Sequence, residues 1–100
     1  MNKRIHALAG LTLVALSGWA NADALQVRSM AASCAGCHGT QGMAPPGMAS
    51  LAGLPKDVLL NKLLDFKTDQ TPATLMHQLS KGFSNEQLEQ LAGYFAALKK

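Results

Sequence analysis

Residues 34–38 carry the sequence Cys34-Ala35-Gly36-Cys37-His38, two cysteines three positions apart followed at once by a histidine. This C-x-x-C-H arrangement is the attachment signal of c-type haem. Residues three and four apart lie on one face of a helix, so both thiols can bond the vinyl groups on one porphyrin edge while His38 lies under the iron. The motif therefore predicts one covalently bound haem c, with Cys34 and Cys37 as thioether sites and His38 as the proximal iron ligand.

Three other chemistries use paired cysteines, and each fits the chain poorly. A thioredoxin-like redox pair needs a βαβ context, and no stretch of the sequence alternates like a strand. A zinc site needs four ligands, and a histidine directly after the second cysteine is poor zinc spacing. The candidate zinc ligands are Cys34, Cys37, His38 and His77. A bare disulfide between the cysteines would close a very short loop and would therefore stabilise little.

The iron has a second axial position, and several residues are candidates for it. These are Met30, Met43, Met48, Met76 and His77. Met30 has a spacing that suits core packing, and Met43 and Met48 follow the motif too closely to reach the far face of the ring. We therefore predict Met76 as the distal ligand, with His77 as its main competitor, because neighbours on a helix cannot both face the iron. Closure of both faces by histidine and methionine favours electron transfer over catalysis at the iron.

Apolar residues recur with a helical period along the chain and predict an all-α fold. The predicted helices are Leu25 to about Gly36, a second opening at Pro55, a short one from Thr71-Pro72 to near Gly82, and a last one capped by Ser84 with Gln87. The predicted apolar stripe of the last helix is Leu88, Leu91, Ala92, Phe95 and Leu98. Proline at a first helical position and a capping box are both start signals. The expected fold has about four helices wrapped around one haem.

The first 22 residues have the pattern of a cleavable export signal. A positive start, a short apolar run and small residues before either cleavage site, after Ala22 or after Ala24, make up that pattern. The apolar run is shorter than the about 18–20 residues that span a bilayer. We therefore expect a leader at 1–22, one domain at 23–100, no membrane span after cleavage, and a periplasmic location.

The charge balance argues against nucleic acid as a partner. The chain has nine basic and six acidic residues, a formal net charge of +3. Lys3 and Arg4 leave with the leader while all the acidic residues stay, so the net charge falls to +1. A domain of this size usually needs a staple beyond its own core, and a large apolar cofactor would serve.

The chain resembles the small bacterial class I cytochromes c. The resemblance rests on the motif with Gly39, on the downstream Met76 and on the closing Leu91-Ala92-Gly93-Tyr94-Phe95, and it covers essentially all of residues 23–100. More narrowly, the segment Ala73-Thr74-Leu75-Met76-His77-Gln78-Leu79-Ser80-Lys81-Gly82-Phe83-Ser84 resembles the methionine-ligand region of the haem subunit of flavocytochrome c sulfide dehydrogenase.

This resemblance implies Cys34 and Cys37 as thioether sites, His38 as the proximal ligand and Met76 as the distal ligand. These are the same four residues that the sequence itself predicts. It also implies a proline, in the loop after the motif, whose carbonyl accepts the Nδ1–H of the proximal histidine. Such a bond fixes the orientation of the imidazole ring and increases its basicity. Pro45 and Pro46 both lie in that loop, and Pro46 is favoured.

The narrower resemblance implies a partner. A separate FAD-containing flavoprotein would oxidise sulfide, and this chain would accept the electrons and pass them to a soluble cytochrome or a membrane complex, with no bond chemistry of its own. The uncharged loop 43–51 would suit permanent docking to such a subunit. A free diffusible carrier, which lysines around the haem edge would steer, is one alternative, and a haem sensor with a labile Met76 bond is another. The lysines available for steering are Lys56, Lys62, Lys67 and Lys81.

Overall fold

The structure, a computed structural model, describes residues 23–100, and the predicted leader at 1–22 lies outside them. Within 23–100 the chain forms helices and no strand. The helices are α1 (23–38), α2 (Lys56–Lys67), α3 (Met76–Lys81) and α4 (Asn85–Ala96). The predicted all-α fold of about four helices is confirmed. No helix in the described part of the chain is long and apolar enough to cross a membrane.

The apolar stripe of α4 forms most of the core. Its buried members are Leu88, Leu91, Ala92 and Phe95. Leu59 of α2 and Ala31 of α1 complete the same cluster, and α2 packs against both α3 and α4. The stripe matches the predicted one except at Leu98, which lies beyond the end of α4 and is only half-buried.

The start of α4 follows the predicted capping box. The backbone N–H of Gln87 donates to Ser84 Oγ over 3.1 Å, and the backbone N–H of Ser84 donates to Gln87 Oε1 over 2.8 Å. Two N–H groups that a helix terminus would leave without partners are thus satisfied, an arrangement worth about 1 kcal/mol. The cap fixes where α4 begins and therefore which of its residues face the core.

The start of α3 differs from the prediction. The helix begins at Met76, whereas the sequence pattern placed its start at Thr71-Pro72. The carbonyl of Thr71 accepts a hydrogen bond from His77 Nε2 over 2.5 Å, so residues 71–75 bend back against the helix that follows. A smaller difference, of one residue, occurs at Pro55, which is the N-cap of α2 and not its first helical residue.

Candidate functional site

A cavity of about 460 Å³ lies between the end of α1, the loop after it, and helices α2, α3 and α4. Its inner wall is the core itself, formed by Leu59, Leu88, Leu91, Ala92 and Phe95. Lys62 is the one charged side chain among its lining residues. The volume is within the range of about 300–1,000 Å³ that small-molecule and cofactor sites occupy. The space is therefore shaped for a large apolar group.

The last turn of α1 supplies three chemically reactive side chains to this cavity: Cys34, Cys37 and His38. Both cysteines are unpaired thiols. Burial raises the pKa of the Cys34 thiol, and the hydroxyl of Ser33 opposes that shift only in part. The cysteine pair and the histidine therefore share one wall, as the helical spacing predicted.

The ring of His38 is oriented by the loop that follows α1. Its Nδ1 lies 2.5 Å from the carbonyl oxygen of Ala49. A carbonyl oxygen can only accept a hydrogen bond, so Nδ1 carries the proton. In the neutral imidazole the other ring nitrogen, Nε2, then has a free lone pair, which is the form in which histidine binds a metal.

The prediction that Pro46 supplies this carbonyl is wrong. The backbone N–H of Met48 donates to the carbonyl of Pro45 over 3.2 Å, and Gly47 has a positive φ of 90°. Proline followed by a positive-φ glycine at the two central positions is typical of a type II turn. Pro46 is therefore at the exposed tip of the turn, and the chain returns to place Ala49 against His38.

The cavity wall also includes Met76, the first residue of α3. Its neighbour His77 does not line the cavity. The ring of His77 directs Nε2 to the Thr71 carbonyl and Nδ1 towards Asp69, with 3.7 Å between Nδ1 and Oδ1. Of the two competing candidates, the structure brings only Met76 to the same space as the motif.

The other methionines have different positions. Met30 packs against the core cluster, and Met43 is 52% exposed. Met48 does line the cavity, but it directly precedes Ala49, whose carbonyl contacts His38. Met48 therefore belongs to the turn that contacts His38, and its side chain is 44% exposed.

Ser80 is a feature of the cavity that the sequence did not indicate. It lines the cavity at 1% exposure, and its hydroxyl has no hydrogen-bond partner among residues 23–100. Buried polar groups are nearly always paired. Ser80 follows Met76 by four positions on α3, and this spacing is the one sequence signal that could have placed both on the same face. The sequence also did not identify the carbonyl of Ala49 as the acceptor, although Pro46-Gly47 just before it indicates a turn.

The alternative chemistries find no support in this geometry. No three His, Cys, Asp or Glu side chains of residues 23–100 come close enough to hold a metal ion together. The zinc hypothesis therefore fails, because His77 is turned away from the cysteines. The βαβ context of a thioredoxin-like pair is likewise missing from the described helices.

Comparison with known proteins gives several matches, although no family model matches the chain. The chain is 37% identical over 68 residues to the cytochrome subunit of sulfide dehydrogenase from Chlorobaculum tepidum, which is 68% of this chain and 62% of that protein. It is 32% identical over 92 residues to cytochrome c-553 of Helicobacter pylori, 87% of this chain and 96% of that one.

Among solved structures, cytochrome c4 of Acidithiobacillus ferrooxidans matches with a TM-score of 0.63 and 29% identity. That match covers 65% of this chain and 38% of the other. The chain thus spans less than two thirds of the sulfide dehydrogenase subunit and of this cytochrome c4, but nearly the full length of cytochrome c-553.

Proposed function

This chain belongs to the class I c-type cytochromes, and from that premise we propose that it is a periplasmic electron-transfer protein with a single covalently bound haem. One observation carries the proposal. Cys34, Cys37, His38 and Met76 come from two separate helices, yet all four line the same apolar cavity. Bound there, the haem supplies a one-electron ferric–ferrous couple.

The cavity fits such a group. Its wall is mostly apolar, and it holds two free thiols three positions apart on one helix, the spacing of the haem attachment motif. Lys62, the one charged side chain on the wall, offers a cation to the carboxylates that a haem carries. Ser80 offers a hydrogen-bond donor that has no acceptor among the described residues. The thiols, the cation and the hydrogen-bond donor together suit a large apolar group that has carboxylates at its edge.

Each of the four residues has a distinct role in this proposal. The thiols of Cys34 and Cys37 hold the group by thioether bonds, which keep it in place independently of the iron. His38 binds the iron through Nε2, and the Ala49 carbonyl holds its ring by accepting the Nδ1–H. That bond also raises the basicity of the imidazole.

Met76 would hold the iron of a bound haem through its thioether sulfur, as the partner of His38. A thioether ligand favours the ferrous state and raises the reduction potential. Iron held by both His38 and Met76 would leave no open position for a small molecule. The chain therefore transfers electrons and performs no bond chemistry of its own.

The partner we favour is an FAD-containing flavoprotein subunit of a sulfide dehydrogenase, to which this chain would be the cytochrome subunit. The relative from Chlorobaculum tepidum bears that description. The turn after α1 is uncharged and exposes Met43 and Met48 near the cavity. Obligate interfaces have apolar centres with few charges, so this surface suits a permanent subunit contact.

The lysines give further support to the subunit interpretation. Lys56, Lys67 and Lys81 all contact other residues of this chain. Lys62 alone of the four candidate lysines lines the cavity. A ring of free lysines of the kind that steers a diffusible carrier is therefore not built by these four residues.

A free diffusible carrier is the second candidate. It is favoured by the match to cytochrome c-553 of Helicobacter pylori, because that match spans 96% of the relative. The electron acceptor in either case would be a soluble cytochrome or a membrane complex.

The test is a visible absorption spectrum of the protein purified gently from its native periplasm, first oxidised and then reduced. We expect low-spin haem bands with the weak far-red band of sulfur-ligated ferric iron, and flavin absorbance that co-elutes with the haem. Haem without flavin, after cross-linking before lysis, would favour the free carrier. A high-spin spectrum that shifts with carbon monoxide would favour a sensor, and the absence of haem would overturn the proposal.

A further inference from the structure

Helix α2 ends in a backbone conformation that normally belongs to glycine. The N–H of Asp69 donates to the carbonyl of Phe66 over 3.3 Å, and the N–H of Gln70 donates to that of Asp65 over 2.8 Å. This pair of bonds defines a Schellman motif, in which the residue in the position of Asp69 is left-handed and is usually glycine. Asp69 has a φ of 60° and is the one non-glycine residue with a positive φ in the stretch 23–100.

The contacts of the Asp69 side chain explain why this position has a carboxylate and not a glycine. Its two oxygens lie 2.9 and 2.8 Å from Nζ of Lys81. One of them also lies 3.7 Å from Nδ1 of His77. Lys81 is the last residue of α3, and His77 is the second. A single carboxylate at the end of α2 therefore contacts α3 near both of its ends.

These contacts decide how α3 is oriented. A helix of six residues is too short to be stable by its own hydrogen bonds, so external contacts must hold it. Asp69 and the carbonyl of Thr71 both hold the ring of His77 on the side away from the cavity. Adjacent residues of a helix point about 100° apart, so fixing His77 there turns Met76 into the cavity.

We propose that Asp69 is a positioning residue for Met76: its carboxylate holds α3 against the end of α2, so that the methionine remains bound at the iron's sixth position. The inference rests on the proposed role of Met76 as the sixth ligand. It assigns to Asp69 no contact with the iron or with the haem.

Substitution of Asp69 separates this role from a merely structural one. Asp69→Gly removes the carboxylate but places the residue that the left-handed position favours, so the end of α2 is preserved. Asp69→Asn keeps the shape of the side chain and also tolerates a positive φ. Both variants should therefore fold, yet Asp69→Gly loses the contact with Lys81 and Asp69→Asn loses the negative charge that strengthens it.

The experiment measures the affinity of the oxidised, haem-loaded full chain for imidazole, which competes with Met76 for the iron. The far-red absorption band of sulfur ligation and the midpoint of urea unfolding are measured on the same proteins. We expect both Asp69 variants to bind imidazole about fivefold more tightly than the unmodified protein. Without the exposed ion pair, Met76 is held less firmly and competes less well with imidazole. The urea midpoint of Asp69→Gly should stay the same or rise, because glycine favours the positive φ at this position. The urea midpoint of Asp69→Asn should fall slightly, because only an exposed ion pair is lost. Glu89→Gln is the matched control, because Glu89 forms an exposed ion pair with Lys56 at 3.3 Å between α2 and α4, and it should leave imidazole affinity unchanged.

Imidazole affinity equal to that of the unmodified protein in both variants would overturn the inference, as would a change equal to that of Glu89→Gln. Met76→Ala distinguishes this from failure of the proposed function. If the unmodified protein already lacks the sulfur band and binds imidazole as tightly as Met76→Ala does, Met76 is not the ligand, and both proposals fall together. If Met76→Ala changes imidazole affinity and the Asp69 variants do not, Met76 remains the assigned ligand and Asp69 has no positioning role.

Discussion

Met76 and His77 are consecutive residues of α3, and their side chains have opposite surroundings. Met76 lines the cavity that also contains the cysteine pair and His38. His77 instead has one ring nitrogen on the carbonyl of Thr71 and the other facing the carboxylate of Asp69. Its ring also lies 6.2 Å, between centroids, from that of Phe66. Of these two plausible iron ligands, only Met76 therefore faces the cavity.

Replacement of each residue in turn tests that distinction. We expect Met76→Ala to lose the sulfur band, to bind carbon monoxide when reduced, and to have a lower reduction potential, because the thioether stabilises ferrous iron. His77→Phe should keep the band and exclude carbon monoxide. Redox titration and carbon monoxide difference spectra measure both effects. Loss of low-spin ligation in His77→Phe with retention in Met76→Ala would reverse the assignment.

Patterns that depend on local sequence predicted much of this molecule. The capping box at Ser84 and Gln87 and the buried stripe of α4 appear as expected, because both follow from helix geometry alone. The four proposed haem-binding residues also converge, since a covalent motif fixes three of them on one helical turn and leaves few partners for the fourth.

Features that depend on contacts between distant residues were missed. The late start of α3 follows from the contact between Thr71 and His77, which the helical period of the sequence does not contain. The orientation of His38 by Ala49 follows from a tight turn at Pro46. In both cases a backbone carbonyl is the acceptor, and any residue type can supply one. The Pro-Gly turn before Ala49 indicates that the chain reverses there, but not which carbonyl contacts His38.

Removal of the cofactor should unfold the domain. The buried apolar core of residues 23–100 is small, and five of its seven members line the cavity. Without the cofactor these core residues would face water, and so small a core supplies only about 3–5 kcal/mol. We expect the double variant Cys34→Ser and Cys37→Ser, purified without haem, to show weak far-UV circular dichroism and no cooperative thermal transition. A helical signal equal to that of the haem protein would contradict this.

Acid should weaken the contact between α2 and α3. A hydrogen bond from Lys81 holds the pKa of the Asp69 carboxyl below its usual value, and the nearby charges of Lys81 and His77 act in the same direction. A group whose pKa is lower in the folded state stabilises the fold above its unfolded pKa and loses that effect as the pH falls through the folded value.

The expected signature is a difference between two proteins. The free energy of unfolding of the unmodified chain, minus that of Asp69→Asn, should be constant near neutral pH and should shrink as the pH falls below about 4. Urea unfolding of the haem-loaded proteins between pH 3 and pH 7 measures it, and subtraction removes the titration of every other group. A difference that does not vary with pH would show that the carboxylate charge is not involved.

Two glycines of the haem motif region should respond oppositely to the same substitution. Gly39 ends α1 with a φ of 87°, and a Cβ there would overlap the carbonyl of Met43. Gly36 is within α1, and a Cβ there would meet nothing within 4 Å. Gly39→Ala should therefore lower the free energy of unfolding by more than about 2 kcal/mol, since a left-handed conformation and a backbone clash combine. Gly36→Ala should raise it by about 0.5–1 kcal/mol, because alanine loses less conformational freedom in a helix. Urea unfolding of both haem-loaded variants compares them directly, and equal stability would mean that the turn after His38 does not require a positive φ.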